Sequence, residues 1–174
     1  NAFEGCSGLT EVTIPNSVTS IGPSAFDDTA WYNNQPYGVV YIGSILYKYK
    51  GTPSGTNIKI KEGTVSISPY AFKGCSGLTS VTIPNSVTSI GWSAFEGCSG
   101  LTSVTIGSSV TSIDAYAFKG CSGLKNVHVS DIAAWCNIDF GIAYESFSNP
   151  LCVANRLFLG SEEVKDLVIP EGVT

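Results

Sequence analysis

The sequence predicts a mainly β repeat solenoid, and three observations predict it. A 23-residue segment recurs: it is clearest from Ala71 to Gly91 and returns from Ala94 and Ala117, so Phe72, Phe95 and Phe118 are evenly spaced, as are Phe3 and Phe26. A period of this length means that each copy buries its apolar face only against its neighbours. Within a copy, Val81 and Ile83 alternate with Ser80 and Thr82, the pattern of a half-buried strand. Turn residues fall at fixed offsets, with Pro84-Asn85-Ser86 after the strand and Gly97 and Gly100 near the return. So short a copy has no room for a full helix beside two extended arms, and each coil is thin.

From the start of a copy, Leu78–Ile83 reads as a strand with Val81 and Ile83 inward and Ser80 and Thr82 outward. Pro84-Asn85-Ser86 ends it. Val87 and Ile90 anchor a second extended stretch. Ala94-Phe95 starts a short helical or 3₁₀ turn with Phe95 and Cys98 inward, and Gly97 and Gly100 permit the tight return to Leu101. Leu9–Pro15 and Leu124–Val129 keep the same phase.

Two insertions interrupt the pattern, at about 27–55 and 130–166. The first holds Ala30-Trp31-Tyr32-Asn33 and two apolar runs, Val39–Ile42 and Ile45–Tyr49, separated by a hairpin turn at Gly43-Ser44. Phe26 and Phe72 lie two whole periods apart, so the stack is expected to stay in register, with Ile58-Lys59-Ile60 restarting the strand. The second holds a short helical pattern, Asp131–Cys136, with Ser130 or Asp131 as N-cap. A candidate hairpin follows at Leu157–Val164, and Leu167–Pro170 resumes the repeat. Both insertions share an Ala-Trp-x-Asn start and a later hairpin, and read as two versions of one elaborated copy. The chain opens inside one copy and stops inside another, without distinct caps. Residues 1–174 therefore read as a single solenoid fragment, truncated at both ends.

Bulk composition excludes some partners. Hydrophobic residues make up 43% of the chain, and charged residues only 13% against roughly 25% in ordinary soluble domains. The surface is neutral and polar, built from Ser, Thr, Asn and Gly. Net charge is −5 and Arg156 is the only arginine, so there is no cation cluster to displace counterions from nucleic acid. No apolar run reaches membrane-spanning length, which argues against membrane insertion by this segment.

Few residues invite chemistry. Cys6, Cys75, Cys98 and Cys121 share one repeat position. Neighbouring coils about 4.8 Å apart stack them, but stacked side chains point in parallel and do not face one another as a disulfide requires. They read as small buried hydrophobes at a coil corner. Pairing of Cys136 with Cys152 stays open. His128, the only histidine, is at an outward strand position and reads as a solvated sheet residue. Asp27-Asp28 and Glu162-Glu163 sit in turn-like segments and are expected to face solvent. No Cys-x₂-Cys pair, P-loop or nucleophile elbow occurs. No metal site, cofactor or catalytic residue is expected.

The outward strand positions are the best binding candidates. Glu11/Thr13, Ser80/Thr82, Ser103/Thr105 and Asn126/His128 should stack into a polar ladder, the kind of extended surface that solenoids use for binding. The insertion aromatics Trp31, Tyr32, Tyr37, Trp135 and Tyr144 are second candidates, because aromatics are enriched at interface hot spots. The same rings also suit the sealing of a hairpin onto a thin solenoid. Trp92 aligns with Pro23, Pro69 and Tyr116 at a variable position and is expected on the outside.

The run Ala-Phe-x-Gly-Cys-x-Gly-Leu-Thr-Ser-Val-Thr-Ile-Pro-x-Ser-Val-Thr-Ser-Ile-Gly, with Leu-x-x-Val-x-Ile inside it, closely resembles the BspA-like (treponemal-class) leucine-rich repeats. The resemblance implies a right-handed leucine-rich-repeat coil with a parallel concave sheet, and a cell-surface or extracellular protein of a host-associated microbe. Some members of the family are adhesins, and the family has no common catalytic residues. The expected function is therefore a non-catalytic protein- or glycan-interaction module, with adhesion to a host or microbial surface protein or glycan included. The alternative is a structural stalk that spaces another domain and has no ligand of its own.

Overall fold

Alternating apolar residues pair side by side from coil to coil and set the architecture. The computed structural model describes residues 1–142, 148–171 and 173. Its elements run in chain order as α1 (Ala30–Asn33), β1 (Gly38–Ile42), β2 (Ile45–Lys50), β3 (Thr56–Lys59), β4 (Ser66–Ile67), β5 (Leu78–Thr82), β6 (Ser89–Ile90), β7 (Ser103–Ile106), β8 (Ser112–Ile113), β9 (Asn126–Val129), α2 (Ile132–Cys136), β10 (Asp139–Phe140), a 3₁₀ turn at Pro150–Cys152, β11 (Arg156–Leu159) and β12 (Glu162–Glu163). Among the described residues they form two six-stranded sheets. Sheet I has the order β12-β11-β9-β7-β5-β3, parallel apart from the terminal β11–β12 hairpin. Sheet II has the order β1-β2-β4-β6-β8-β10, parallel apart from the β1–β2 hairpin.

The core lies between the sheets. Val81, Val104 and Val127 point inward from sheet I, Ile67, Ile90 and Ile113 from sheet II, and Leu78, Leu101 and Leu124 fill the space beside them. Phe72, Phe95 and Phe118 stack nearly face to face at 5.1 and 5.2 Å and are fully buried. Such pairs contribute roughly 0.5–1.5 kcal/mol beyond their burial.

The Ala-Phe-x-Gly corner is a chain of hydrogen-bonded turns rather than a helix. Ser24, Tyr70, Ser93 and Tyr116, all two residues before a Phe, have φ between 53° and 61°, which breaks any right-handed helix there. Besides the bonds within each turn, the corner's backbone bonds from coil to coil, with Phe72 N donating to Ala94 O at 2.7 Å and Phe95 N to Ala117 O at 2.8 Å. Gly100 is required by close approach, since a Cβ there would lie 2.2 Å from Ser76 O of the preceding coil.

The first insertion conceals a repeat. Tyr49 N donates to Ala71 O as Phe72 N does to Ala94 O, and the Tyr49 ring packs on Phe72 at 6.0 Å. Tyr49 therefore occupies the Phe position one period before Phe72. The preceding part of that coil is spent on α1 and β1. A register shift in the hairpin pairs Val40 with Lys48 and Tyr41 with Leu46, leaving Tyr47 as the extra residue of a bulge. The hairpin becomes a wall between two cores. Leu46 and Tyr49 face the main one, while Val40, Ile42, Ile45 and Tyr47 face a smaller one built with Ile21, Ala25 and Phe26.

That wall displaces the N-terminal copies. Ile45 pairs with Ser66, so both face outward from sheet II, yet Ile45 is fully buried beneath the N-terminal copies and Ser66 Oγ donates to Thr19 O at 2.7 Å. Residues 9–22 join neither sheet. The period persists through the first insertion, but the stack is stepped sideways rather than carried straight through.

The second insertion is one long coil. Arg156 pairs with Asn126, 30 residues earlier, and Asp139 with Ser112, 27 residues earlier. Four of the added residues accommodate α2, whose N-cap is Asp131 with its carboxylate accepting from Ala134 N. The two insertions share a Trp-bearing helix, but their hairpins join different sheets, so they are not two versions of one copy. Residues 164–171 form no strand, and β12 covers the sheet I edge where Leu167–Pro170 was expected to resume the repeat.

Candidate functional site

Sheet I presents two straight rows of outward side chains. The first is Asn57, Ser80, Ser103, Asn126 and Arg156, and the second is Lys59, Thr82, Thr105, His128 and Phe158. The structure thus aligns Ser80/Thr82, Ser103/Thr105 and Asn126/His128 as the alternation predicts. Glu11 and Thr13 are not part of the ladder, because the first insertion carries residues 9–22 off the sheet. Their place is taken by Asn57 and Lys59.

Polar bonding divides the face. Ser80 Oγ donates to Asn57 Oδ1 at 2.8 Å. Thr82, Ser103 and Thr105 make no side-chain bond among the described residues and border a shallow groove with His128 and Gly160. Asn126 Oδ1 is buried and has no hydrogen-bond partner among the described residues. At the far end the His128 ring stacks on Phe158 at 4.5 Å, and its Nδ1 lies 3.0 Å from Gly160 O. His128 is therefore a packed platform residue rather than a freely solvated one. The Arg156 guanidinium lies 5.0 Å from the Phe158 ring and holds both oxygens of Glu163, at 2.9 and 2.8 Å. That fork keeps the Glu163 carboxyl below its usual range. Glu163 is thus paired, while Glu162 faces solvent. Arg156 and Phe158 escape sequence reasoning because the long coil breaks the period.

The insertion aromatics pack. Trp31 meets Phe26 edge-on at 5.8 Å, Tyr32 meets Tyr47 at 5.8 Å, and Trp135 meets Phe140 at 5.4 Å. Tyr37 is exposed, with Lys50 5.8 Å from its ring. The Lys50 ammonium donates to the carbonyls of Tyr32, Asn33 and Gln35, closing the end of α1. Tyr144 lies outside the described residues. Trp92 sits at the coil corner between Tyr70 and Tyr116 at 4.9 and 6.2 Å. Tyr116 stands level with Tyr70 rather than with Trp92, whose counterpart is Ala115.

Asp27 does not face solvent. Its carboxylate accepts from Tyr47 and Lys48, while Asp28 is exposed. The buried thiols donate to the preceding coil, Cys98 Sγ to Phe72 O and Cys121 Sγ to Phe95 O, both at 3.1 Å. Cys136 and Cys152 are free thiols. Among the described residues no group of three or more His, Cys, Asp or Glu side chains is gathered to hold a metal.

Repeating coils, two parallel sheets and a Leu-x-x-Val-x-Ile strand in each regular coil define a leucine-rich-repeat solenoid. Six copies of the BspA type leucine rich repeat region match residues 1–35 and 40–149, and the chain belongs to that family. It is similar to a leucine rich repeat protein of T. pallidum, at 27% identity and a TM-score of 0.44, covering 49% of this chain and 44% of that one. A leucine-rich repeat protein from Bacteroides ovatus matches at 27% identity and a TM-score of 0.44, covering 61% and 30%. A leucine rich cell surface protein from Faecalibacterium prausnitzii matches at 25% identity and a TM-score of 0.36, covering 78% and 52%. The chain thus spans between 30% and 52% of the length of these proteins. No curated protein matches it.

Proposed function

We propose that this chain is a non-catalytic, extracellular interaction module of a cell-surface protein. Its ligand is a host or microbial surface protein or glycan bound across sheet I, and its role includes host-directed adhesion. One observation carries this reading. Thr82, Ser103 and Thr105 form aligned rows whose hydroxyls serve no bond within the described residues, with Lys59 at one end and Arg156 at the other. A rigid array of unspent donors and acceptors suits a polar ligand. Family membership supports the surface location, and no helix of the described residues is long and apolar enough to cross a membrane.

The second reading is a stalk without its own ligand. It is favoured by threonines that tie coil to coil along the flanks: Thr102 Oγ1 donates to Thr79 O at 3.0 Å and Thr111 Oγ1 to Thr88 O at 3.2 Å. These bonds stiffen a rod whatever it displays. A screen of the chain against matrix proteins and glycans separates the two. Specific binding that is lost in Thr82→Lys and Thr105→Lys, with melting unchanged, supports the interaction module. Silence across the screen supports the stalk.

A further inference from the structure

We infer that the open edge of β3 takes an extended acidic peptide as an added strand of sheet I. Sheet I is covered at one end, where β12 pairs with β11, and ends at β3 on the other. In a regular stack the strand one period earlier would lie against β3. That coil spends its residues on α1 and β1 instead, and the copy before it is stepped aside. Among the described residues no strand takes the place of that rung.

The backbone shows which groups this exposes. Thr56 N donates to Gly77 O and Ile60 N to Thr82 O, both at 3.0 Å, so residues 56, 58 and 60 turn their N–H and C=O toward β5. Successive residues of a strand alternate in this direction. Asn57 and Lys59 therefore turn theirs to the open side, where no hydrogen-bond partner reaches them among the described residues. Both residues are exposed. Lys61 is next in that series, and its N–H donates to the Tyr41 hydroxyl at 3.1 Å. A side chain thus supplies there the acceptor that a neighbouring strand would supply. Asn57 and Lys59 keep two donors and two acceptors facing solvent, and such an edge is a template for an incoming strand.

The surroundings select the partner. Lys59 and Lys61 are exposed, and neither forms an ion pair among the described residues. They lie two residues apart and so point to the same outer face. A second copy pairing through its own β3 would set lysine against lysine, whereas carboxylates on the outer side of an added strand would meet them. Val39 and Tyr41 of β1 pack on the main core and are only half-buried, so apolar side chains on the inner side have a surface to cover. The partner is therefore a segment in which acidic and β-branched residues alternate. Its recognition uses the backbone of β3 rather than the Thr82 and Thr105 hydroxyls, so it stands or falls separately from the ligand proposed for the face of the sheet.

The test is a two-dimensional NMR titration of the 174-residue chain with the end-blocked peptide Glu-Val-Glu-Val-Glu-Val-Glu. The comparisons are Lys-Val-Lys-Val-Lys-Val-Lys and two forms of the acidic peptide, N-methylated at the valines or at the glutamates. The acidic peptide is expected to shift the β3 amides saturably and to slow hydrogen exchange at Asn57 and Lys59, while the lysine peptide does not. At least one methylated form, the one that loses the N–H groups facing β3, should bind tenfold more weakly or worse. Lys59→Pro removes an edge-facing donor and spares the ladder to β5, and should weaken binding to the same extent. Lys59→Glu with Lys61→Glu should reverse the preference toward the lysine peptide, which keeps the test informative should Lys59→Pro fold poorly. The proposal is overturned by no saturable shift in β3, by equal binding of the lysine peptide there, or by undiminished binding of both methylated forms. Wild-type affinity in folded Lys59→Pro overturns it too, as does a dimer of the chain that Lys59→Pro dissociates, which would make a second copy the occupant.

Discussion

The phenolic hydroxyl of Tyr47 donates a 2.7 Å hydrogen bond to Asp27 Oδ1 and accepts a 2.9 Å bond from the backbone N–H of Phe26. That N–H is the equivalent of Phe72 N and Phe95 N, which donate to a carbonyl of the next coil. At Phe26 the next coil is the hairpin, which has stepped away, and the side chain of Tyr47 supplies the missing acceptor. The bulge that makes Tyr47 the extra residue lets Lys48 face the same side and reach the same carboxylate.

Tyr47→Phe should therefore loosen the N-terminal copies selectively. It leaves a backbone donor and a carboxylate oxygen without their partner in a part-buried site, which costs about 1–3 kcal/mol. Hydrogen exchange is the measurement: amides of residues 1–28 should lose protection while those of β5, β7 and β9 keep theirs. Uniform loss along the chain would mean that the two cores do not behave as separable units.

Acid should act at the same point. Burial raises the Asp27 carboxyl, but the bonds from Lys48 and Tyr47 outweigh it and hold Asp27 below its ordinary value. A carboxylate whose pKa is depressed by folding contributes stability above its unfolded pKa, and that contribution fades as pH falls through the folded value. Melting temperature should thus hold steady at pH above about 5 and fall below about 4. Asp27→Asn should flatten part of that fall and lower stability near neutral pH. An unchanged acid profile in Asp27→Asn would remove Asp27 from the account.

The regular coils were legible because each obeys a local rule at a fixed offset: strand alternation at Val81 and Ile83, a turn at Pro84, an inward Phe95. The Tyr49-Lys50-Gly51 run is the same signal as Phe72-Lys73-Gly74 with a ring substituted, and reading Tyr as Phe would have found the hidden rung. The step at residues 9–22 was not legible. It follows from a bulge at Tyr47 and from which face of the hairpin is buried, and both are settled by contacts distant in sequence. Glu11 and Thr13 leave the ladder for that reason. Arg156 and Phe158 join it across a longer coil, where counting by the period fails.

The cysteine column gives the last prediction. Cys75, Cys98 and Cys121 are buried, whereas Cys6 and Cys152 are exposed. Burial pushes the Cys75 thiol up to about 12, helped by the neighbouring Cys98. The Cys121 thiol, and then burial, raise Cys98 as well. Alkylation requires the thiolate and access to it; burial denies access along the whole column, and Cys75 and Cys98 also hold their protons. Iodoacetamide should modify Cys6 and Cys152 in the folded chain within the time taken by a free thiol. Cys75, Cys98 and Cys121 should react only as fast as the chain opens, and in denaturant all six cysteines should react alike. Peptide mapping by mass spectrometry reads each site separately. If Cys98 labels in the native chain as quickly as Cys6, the stacked corner does not close as the Phe72–Phe95–Phe118 column requires.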